Sequence, residues 1–148
     1  MEMATMIKFR AWDKRRGIYL YNVQDAYDTL GGFVKYDDGT YADYDVGCFG
    51  DFIDNRRYVV EQFIGLKDRN DKDIYEGDIV HVITEDGYER TGKVIFEKGC
   101  YWFDNGMDKY PVNRIGSEQD ILEVLGDAHA NPELIDFYNM KQLGDLTD

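Results

Sequence analysis

The sequence is poor in the side chains that most catalytic chemistry needs. Among 148 residues there is one serine, Ser117, with two histidines, His81 and His129, and two cysteines, Cys48 and Cys100. Ser117 lies in the run IGSEQD, which lacks the G-x-S-x-G of a nucleophile elbow and reads as a turn or cap ahead of Asp120. No two of the cysteines and histidines stand two to four residues apart, so the spacing of a structural zinc site is missing. The cysteines form no disulfide framework either. Cys100 falls in an aromatic strand, where a buried, inert thiol is expected. Neither a Walker loop nor G-x-G-x-x-G occurs, which leaves no phosphate or dinucleotide cradle to assign. No apolar run approaches the ~18 residues of a membrane span. The opening MEMATMIKFRAWDKRRG has no apolar signal core. The expectation is a cytoplasmic protein with reduced thiols, no cofactor, no metal and no membrane partner.

Positive charge is also scarce. Seventeen Lys and Arg stand against thirty Asp and Glu, a net charge of −13. Residues 25–54 hold eight Asp and one Lys, and residues 117–148 hold eight acidic residues and one Lys, while the middle of the chain is nearly neutral. Such a surface repels nucleic acid and attracts basic partners. Its ordinary alternative role is solubility alone. The one basic cluster is Lys8, Arg10, Lys14, Arg15 and Arg16, beside Phe9 and Trp12. Basic and aromatic residues together bind single-stranded nucleic acid. Against the overall charge, the cluster is expected to pair with the protein's own carboxylates.

What the chain has in quantity is aromatic residues, 15% of the total, with twelve Tyr and eight Phe. These favour strands. Alternation over 5–11 and the run 17–23 predict a hairpin across DKRRG. Residues 24–56 are punctuated by Gly31-Gly32, Asp37-Asp38-Gly39 and Gly47, and predict short strands or ordered loops with a brief helix near 24–30. Strands follow at 57–66, 74–84, 88–96, 100–103, 108–112 and 121–128, joined by short turns such as Asp86-Gly87 and Asn105-Gly106. Closely spaced strands of this kind match a small, strongly bent antiparallel barrel of the SH3-like type, entered through Glu76-Gly77-Asp78. Asn131, Pro132 and Glu133 begin a terminal helix. The reading is a mainly β (α+β) chain: a β-rich acidic region over 1–56, and an SH3-like barrel with a C-terminal helix over 57–148.

Among the acidic stretches, Asp68–Asp73 lacks the ligand order and sixth-position glycine of a calcium loop and reads as a solvated turn. Asp43 and Asp45 have no supporting ligands nearby. Trp102 lies between Tyr101 and Phe103, and strand alternation puts it on the opposite side from both.

Three blocks resemble the YopX family of phage and prophage proteins of Gram-positive bacteria: IKFRAWD (7–13), FIGLKDRNDKDIYEGDIV (63–80) and EVLGDAHANPEL (123–134). GKVIF (92–96) and YWF (101–103) lie between the last two. The resemblance implies a mostly β protein with an SH3-like barrel in its C-terminal half, and it implies no enzymatic activity or catalytic residues. Function is therefore expected to be non-enzymatic: an interaction module for a host or phage protein. Its partner-binding residues are expected to be Asp37, Asp38, Asp43, Asp45, Asp51 and Asp54, with Trp102 as an aromatic contact. A sharper form has the acidic stretches imitate nucleic acid and block a host defence or DNA-binding protein. The third reading is a nucleic-acid-binding barrel using the N-terminal basic cluster. Self-association is left open.

Overall fold

In a computed structural model of the chain, residues 7–26, 34–85, 87–106, 108–112 and 121–134 are described. The expected hairpin is present as β1 (Phe9–Asp13) and β2 (Ile18–Tyr21), with Ala11 opposite Leu20 and Asp13 opposite Ile18. Its turn closes through the Gly17 N–H on the Asp13 carbonyl at 2.7 Å. Gly17 has φ 69, a backbone that glycine adopts without a Cβ clash. β3 (Lys35–Tyr36) adds beyond β2. On its other side β1 pairs with β4 (Tyr58–Lys67), which sets Arg10 opposite Glu61 and Asp13 opposite Tyr58. With β5 (Asp73–Tyr75) these strands form a sheet in the order β3-β2-β1-β4-β5. Between β3 and β4, residues 49–54 form the short helix α1 (Phe49–Asp54) instead of the short strands or ordered loops expected there. A 3₁₀ turn occupies Val23–Asp25, at the start of the stretch 24–30 where a brief helix was expected, and residues 27–33, with Gly31-Gly32, lie outside the described residues.

The second sheet contains β6 (Asp78–Ile83), β7 (Glu89–Glu97), β8 (Cys100–Asp104), β9 (Lys109–Pro111) and β10 (Ile121–Asp127), in the order β10-β6-β7-β8-β9. Its neighbouring strands pair antiparallel. Each unit of the chain has its own core. In Met1–Phe63 it contains Ala11, Leu20, Val23, Val34, Phe52 and Tyr58. In Ile64–Asp148 it contains Ile74, Val80, Val82, Val94, Phe103 and Leu122. The division between the two units falls inside β4, which runs unbroken from Tyr58 to Lys67.

Two expectations change. The strand expected at 74–84 is two strands in different sheets. The chain turns at Glu76-Gly77, where Gly77 has φ 87 and the Asp78 carboxylate accepts the Tyr75 N–H at 2.9 Å. The barrel expected of the C-terminal half is not closed by the described pairings. These give two open antiparallel sheets with β9 and β10 at opposite ends of the second. β9 is three residues long and finishes at Pro111, which has no N–H to offer a further ladder. Residues 132–134 are helical, and the rest of the expected terminal helix lies outside the described residues.

β10 carries a bulge between Val124 and Gly126. A Cβ on Gly126 would stand 2.5 Å from Asn131 Oδ1 and 2.8 Å from its Cγ. That Asn131 oxygen accepts the Asp127 N–H, so it is not free to move aside. Gly126→Ala is expected to destabilise the protein by about 1–3 kcal/mol, the usual range for overpacking. Urea denaturation checks this, and an unchanged midpoint would show that the Asn131 turn is loose.

Candidate functional site

Among the described residues five charged side chains are buried: Arg10, Asp13, Glu61, Asp68 and Asp78. Asp13 is 0% exposed. Its Oδ1 accepts Arg57 Nε–H at 2.9 Å and the Arg15 and Arg16 backbone N–H groups at 3.0 and 3.2 Å. Its Oδ2 accepts Arg57 Nη2–H at 2.9 Å, completing a two-pronged pair. Burial pushes the Asp13 pKa up, but the Arg57 and backbone hydrogen bonds together outweigh it and hold the carboxyl below its ordinary value of 3.8. Arg10, one strand position from the core residue Ala11, is only 3% exposed. It pairs with Glu61 at 2.9 Å, lies 4.1 Å from the Tyr19 ring centroid, and Glu61 also accepts the Tyr19 hydroxyl at 2.9 Å.

The N-terminal basic cluster is thus not one exposed surface. Arg10 is inside. Arg16 lies 3.6 Å from Asp43 and donates to its carbonyl at 2.9 Å. Lys8 stands 4.6 Å over the Phe63 ring. Lys14 and Arg15 are exposed. Arg10 and Arg16 pair with the protein's own carboxylates, as expected.

The six expected acidic residues are all exposed, but they occupy different settings. Asp37 and Asp38 form the hairpin turn after β3, where the Tyr36 N–H bonds the Thr40 carbonyl at 2.9 Å. Hydrogen bonds from the Thr40 hydroxyl and N–H, at 2.7 and 2.9 Å, hold the Asp38 pKa below its ordinary value. Residues 41–46 then alternate: Ala42, Tyr44 and Val46 pack on the core, while Tyr41, Asp43 and Asp45 are exposed. Asp45 lies 3.5 Å from Arg57. Asp51 Oδ2 accepts the Gly47 N–H at 3.2 Å at the start of α1. Asp45, Asp51 and Asp54 come together around an open cleft of about 510 Å³, lined also by Val46, Gly47, Asn55 and Arg56. The cleft turns three carboxylates and one guanidinium to solvent. Among the described residues no three His, Cys, Asp or Glu are placed to hold a metal.

In the second unit, Trp102 is half-buried on the face of β8 opposite Phe103, and its indole N–H donates to the Glu97 carbonyl at 2.7 Å. Cys100 is exposed, not buried, because it opens β8 directly after the Lys98-Gly99 turn. Asp68, placed by sequence in a solvated turn, is buried: its Oδ1 accepts the Asn70 and Lys72 N–H groups and its Oδ2 accepts the Val124 N–H. Burial raises its pKa, but these three backbone donors and Lys72 together keep it lowered. Asp127 likewise accepts the His129 and Ala130 N–H groups. Ser117 lies outside the described residues. No helix among the described residues is long and apolar enough to cross a membrane.

Two antiparallel sheets with few short helices define a mainly β protein. The model of the YopX protein family matches residues 8–136, and the chain belongs to that family. It is similar to the crystal structure of protein EF1440 from Enterococcus faecalis, at 24% identity and a TM-score of 0.58, over 89% of this chain and 99% of that one. It is also similar to protein YopX from Bacillus subtilis, at 25% identity and a TM-score of 0.53, over 86% and 95% of the two chains. No curated protein matches it.

Asp13 yields a pH prediction. Because its folded pKa lies below the ordinary value, its contribution is complete above that value and disappears as pH falls through the folded one. Asp13→Asn is expected to cost about 2 kcal/mol at neutral pH, the scale of hydrogen bonds to a charged group. The gap from wild type should narrow below about pH 4. Denaturation midpoints measured from pH 7 to 2.5 read this, and a gap that stays constant would show that the carboxylate charge is not what Arg57 holds.

Proposed function

We propose that this chain is a non-enzymatic interaction module of phage or prophage origin, working in the host cytoplasm. Its first unit presents acidic residues to a basic surface on a host or phage protein. The observation that supports this reading is the outward row of Tyr41, Asp43 and Asp45, continuing into the cleft of Asp51 and Asp54. Tyr41 is 72% exposed, and an aromatic ring among carboxylates is suited to contact Lys and Arg side chains. Asp37 and Asp38 extend the negative field, and Trp102 is kept as an aromatic contact on the second unit. The order β10-β6-β7-β8-β9, a meander whose last strand returns beside its first, is compatible with an incompletely closed SH3-like barrel.

The nucleic-acid mimic is a narrower version of this reading. Arg16 beside Asp43 and Arg57 beside Asp45 offset part of the charge that a mimic needs, so we prefer the plain module. The nucleic-acid-binding alternative loses Arg10 to Glu61.

Pull-downs from a nuclease-treated Gram-positive lysate test the proposal. Tagged wild type is compared with a variant carrying Asp43→Asn, Asp45→Asn, Asp51→Asn and Asp54→Asn. One basic partner should be enriched by wild type and captured about tenfold less by the variant, with salt weakening the wild-type capture. Equal capture by both would contradict the acidic surface, and displacement by competing DNA would favour the mimic.

A further inference from the structure

A strand at the end of a sheet leaves a row of backbone N–H and C=O groups that a neighbouring chain can add to unless something covers them. Among the described residues β10 is such a strand, and it is rich in β-forming apolar residues, with Ile121 and Leu125 41% and 45% exposed. Its outer backbone groups are met by the turn between β4 and β5. The Arg69 N–H donates to the Leu122 carbonyl at 2.8 Å, and the Val124 N–H donates to Asp68 Oδ2 at 3.0 Å. The other oxygen of the same carboxylate holds the turn itself, through the Asn70 and Lys72 N–H groups at 2.8 and 2.9 Å. The Asp68 N–H returns to the Lys72 carbonyl at 2.8 Å, and Asp71 takes the left-handed backbone at φ 65. One buried side chain therefore both folds the turn and moors it to β10. Past Val124 the bulge leaves Leu125 without a cross-strand partner, a second interruption of the edge.

The geometry points to the Asp68 turn as a guard of the β10 edge: moored, it ends the sheet, and released, it lets β10 pair with β10 of a second copy of this chain. The occupant is a second copy because the outer backbone groups at Leu122 and Val124, once freed from the turn, are self-complementary. A strand offering alternate donors and acceptors pairs antiparallel with itself about a two-fold axis. This inference is independent of the acidic surface on the first unit.

Asp68→Ala removes both functions of the carboxylate. Asp68→Ser keeps a short hydroxyl that supports the turn but does not reach Val124. Sedimentation equilibrium over a range of concentrations, with circular dichroism to confirm the sheet, reads the outcome. Both variants should self-associate at least about tenfold more tightly than wild type. Adding Leu125→Lys, a charge on the edge, should reverse it. Folded variants with the same mass as wild type would overturn the proposal. Loss of the fold in both would also overturn it, since Asp68 would then determine folding and not edge pairing.

Discussion

Arg57 and Asp13 meet through two parallel hydrogen bonds of 2.9 Å, and the first unit is arranged around that contact. A carboxylate taken out of water costs several kcal/mol unless charge and hydrogen bonds replace the solvent. Here the replacements come from three places in the chain. The backbone of the turn at Arg15 and Arg16 closes the β1–β2 hairpin over the carboxylate. Arg57 supplies the guanidinium from the residue just before β4, and its carbonyl accepts the Lys14 N–H at 2.9 Å. The strand register that sets Asp13 opposite Tyr58 is the register in which these groups coincide. Arg57 also reaches outward to Asp45, so the buried pair anchors the exposed acidic segment as well as the sheet.

The same device recurs through the chain. Asp68 holds the β4–β5 turn against β10, Asp78 accepts Tyr75 N–H where the chain changes sheets, and Asp127 gathers the turn after β10. Asp13, Asp68, Asp78 and Asp127 all lie in the three sequence blocks that mark the family. Their oxygens are occupied by backbone donors and by Arg57. The polar residues of those blocks therefore specify turns and sheet exchange. The acidic residues outside the blocks, between 37 and 54, remain facing water.

Much of the strand order was legible because alternation and turn chemistry are local. The hairpin across DKRRG, the long strand that became β4, and the strands after Tyr88 follow from apolar spacing and from Asn-Gly and Lys-Gly turns. What escaped the sequence is non-local. That Arg10 pairs with a carboxylate of its own chain was expected, but which one was not legible, because Glu61 is fifty-one positions away and directly opposite in the ladder. Asp68 reads as a solvated turn residue because its tie to Val124 spans fifty-six positions. Helix α1 escaped because six residues with three glycine or aspartate positions carry little helical periodicity, and its formation rests on Phe52 reaching the core. Of the acidic surface, the exposure of each Asp was legible. The convergence of Asp45, Asp51 and Asp54 on one cleft depended on where α1 falls.

The account rests on the buried carboxylate acting as a tie between distant segments, and a double-mutant cycle on Asp13 and Arg57 tests that most directly. Asp13→Asn, Arg57→Gln and the double variant are compared by denaturation at neutral pH and low salt. The account predicts a coupling of about 1–3 kcal/mol, so that the second substitution costs much less once the first is made. Losses that add to within about 0.5 kcal/mol would contradict it, and would mean that the two side chains are neighbours without being partners.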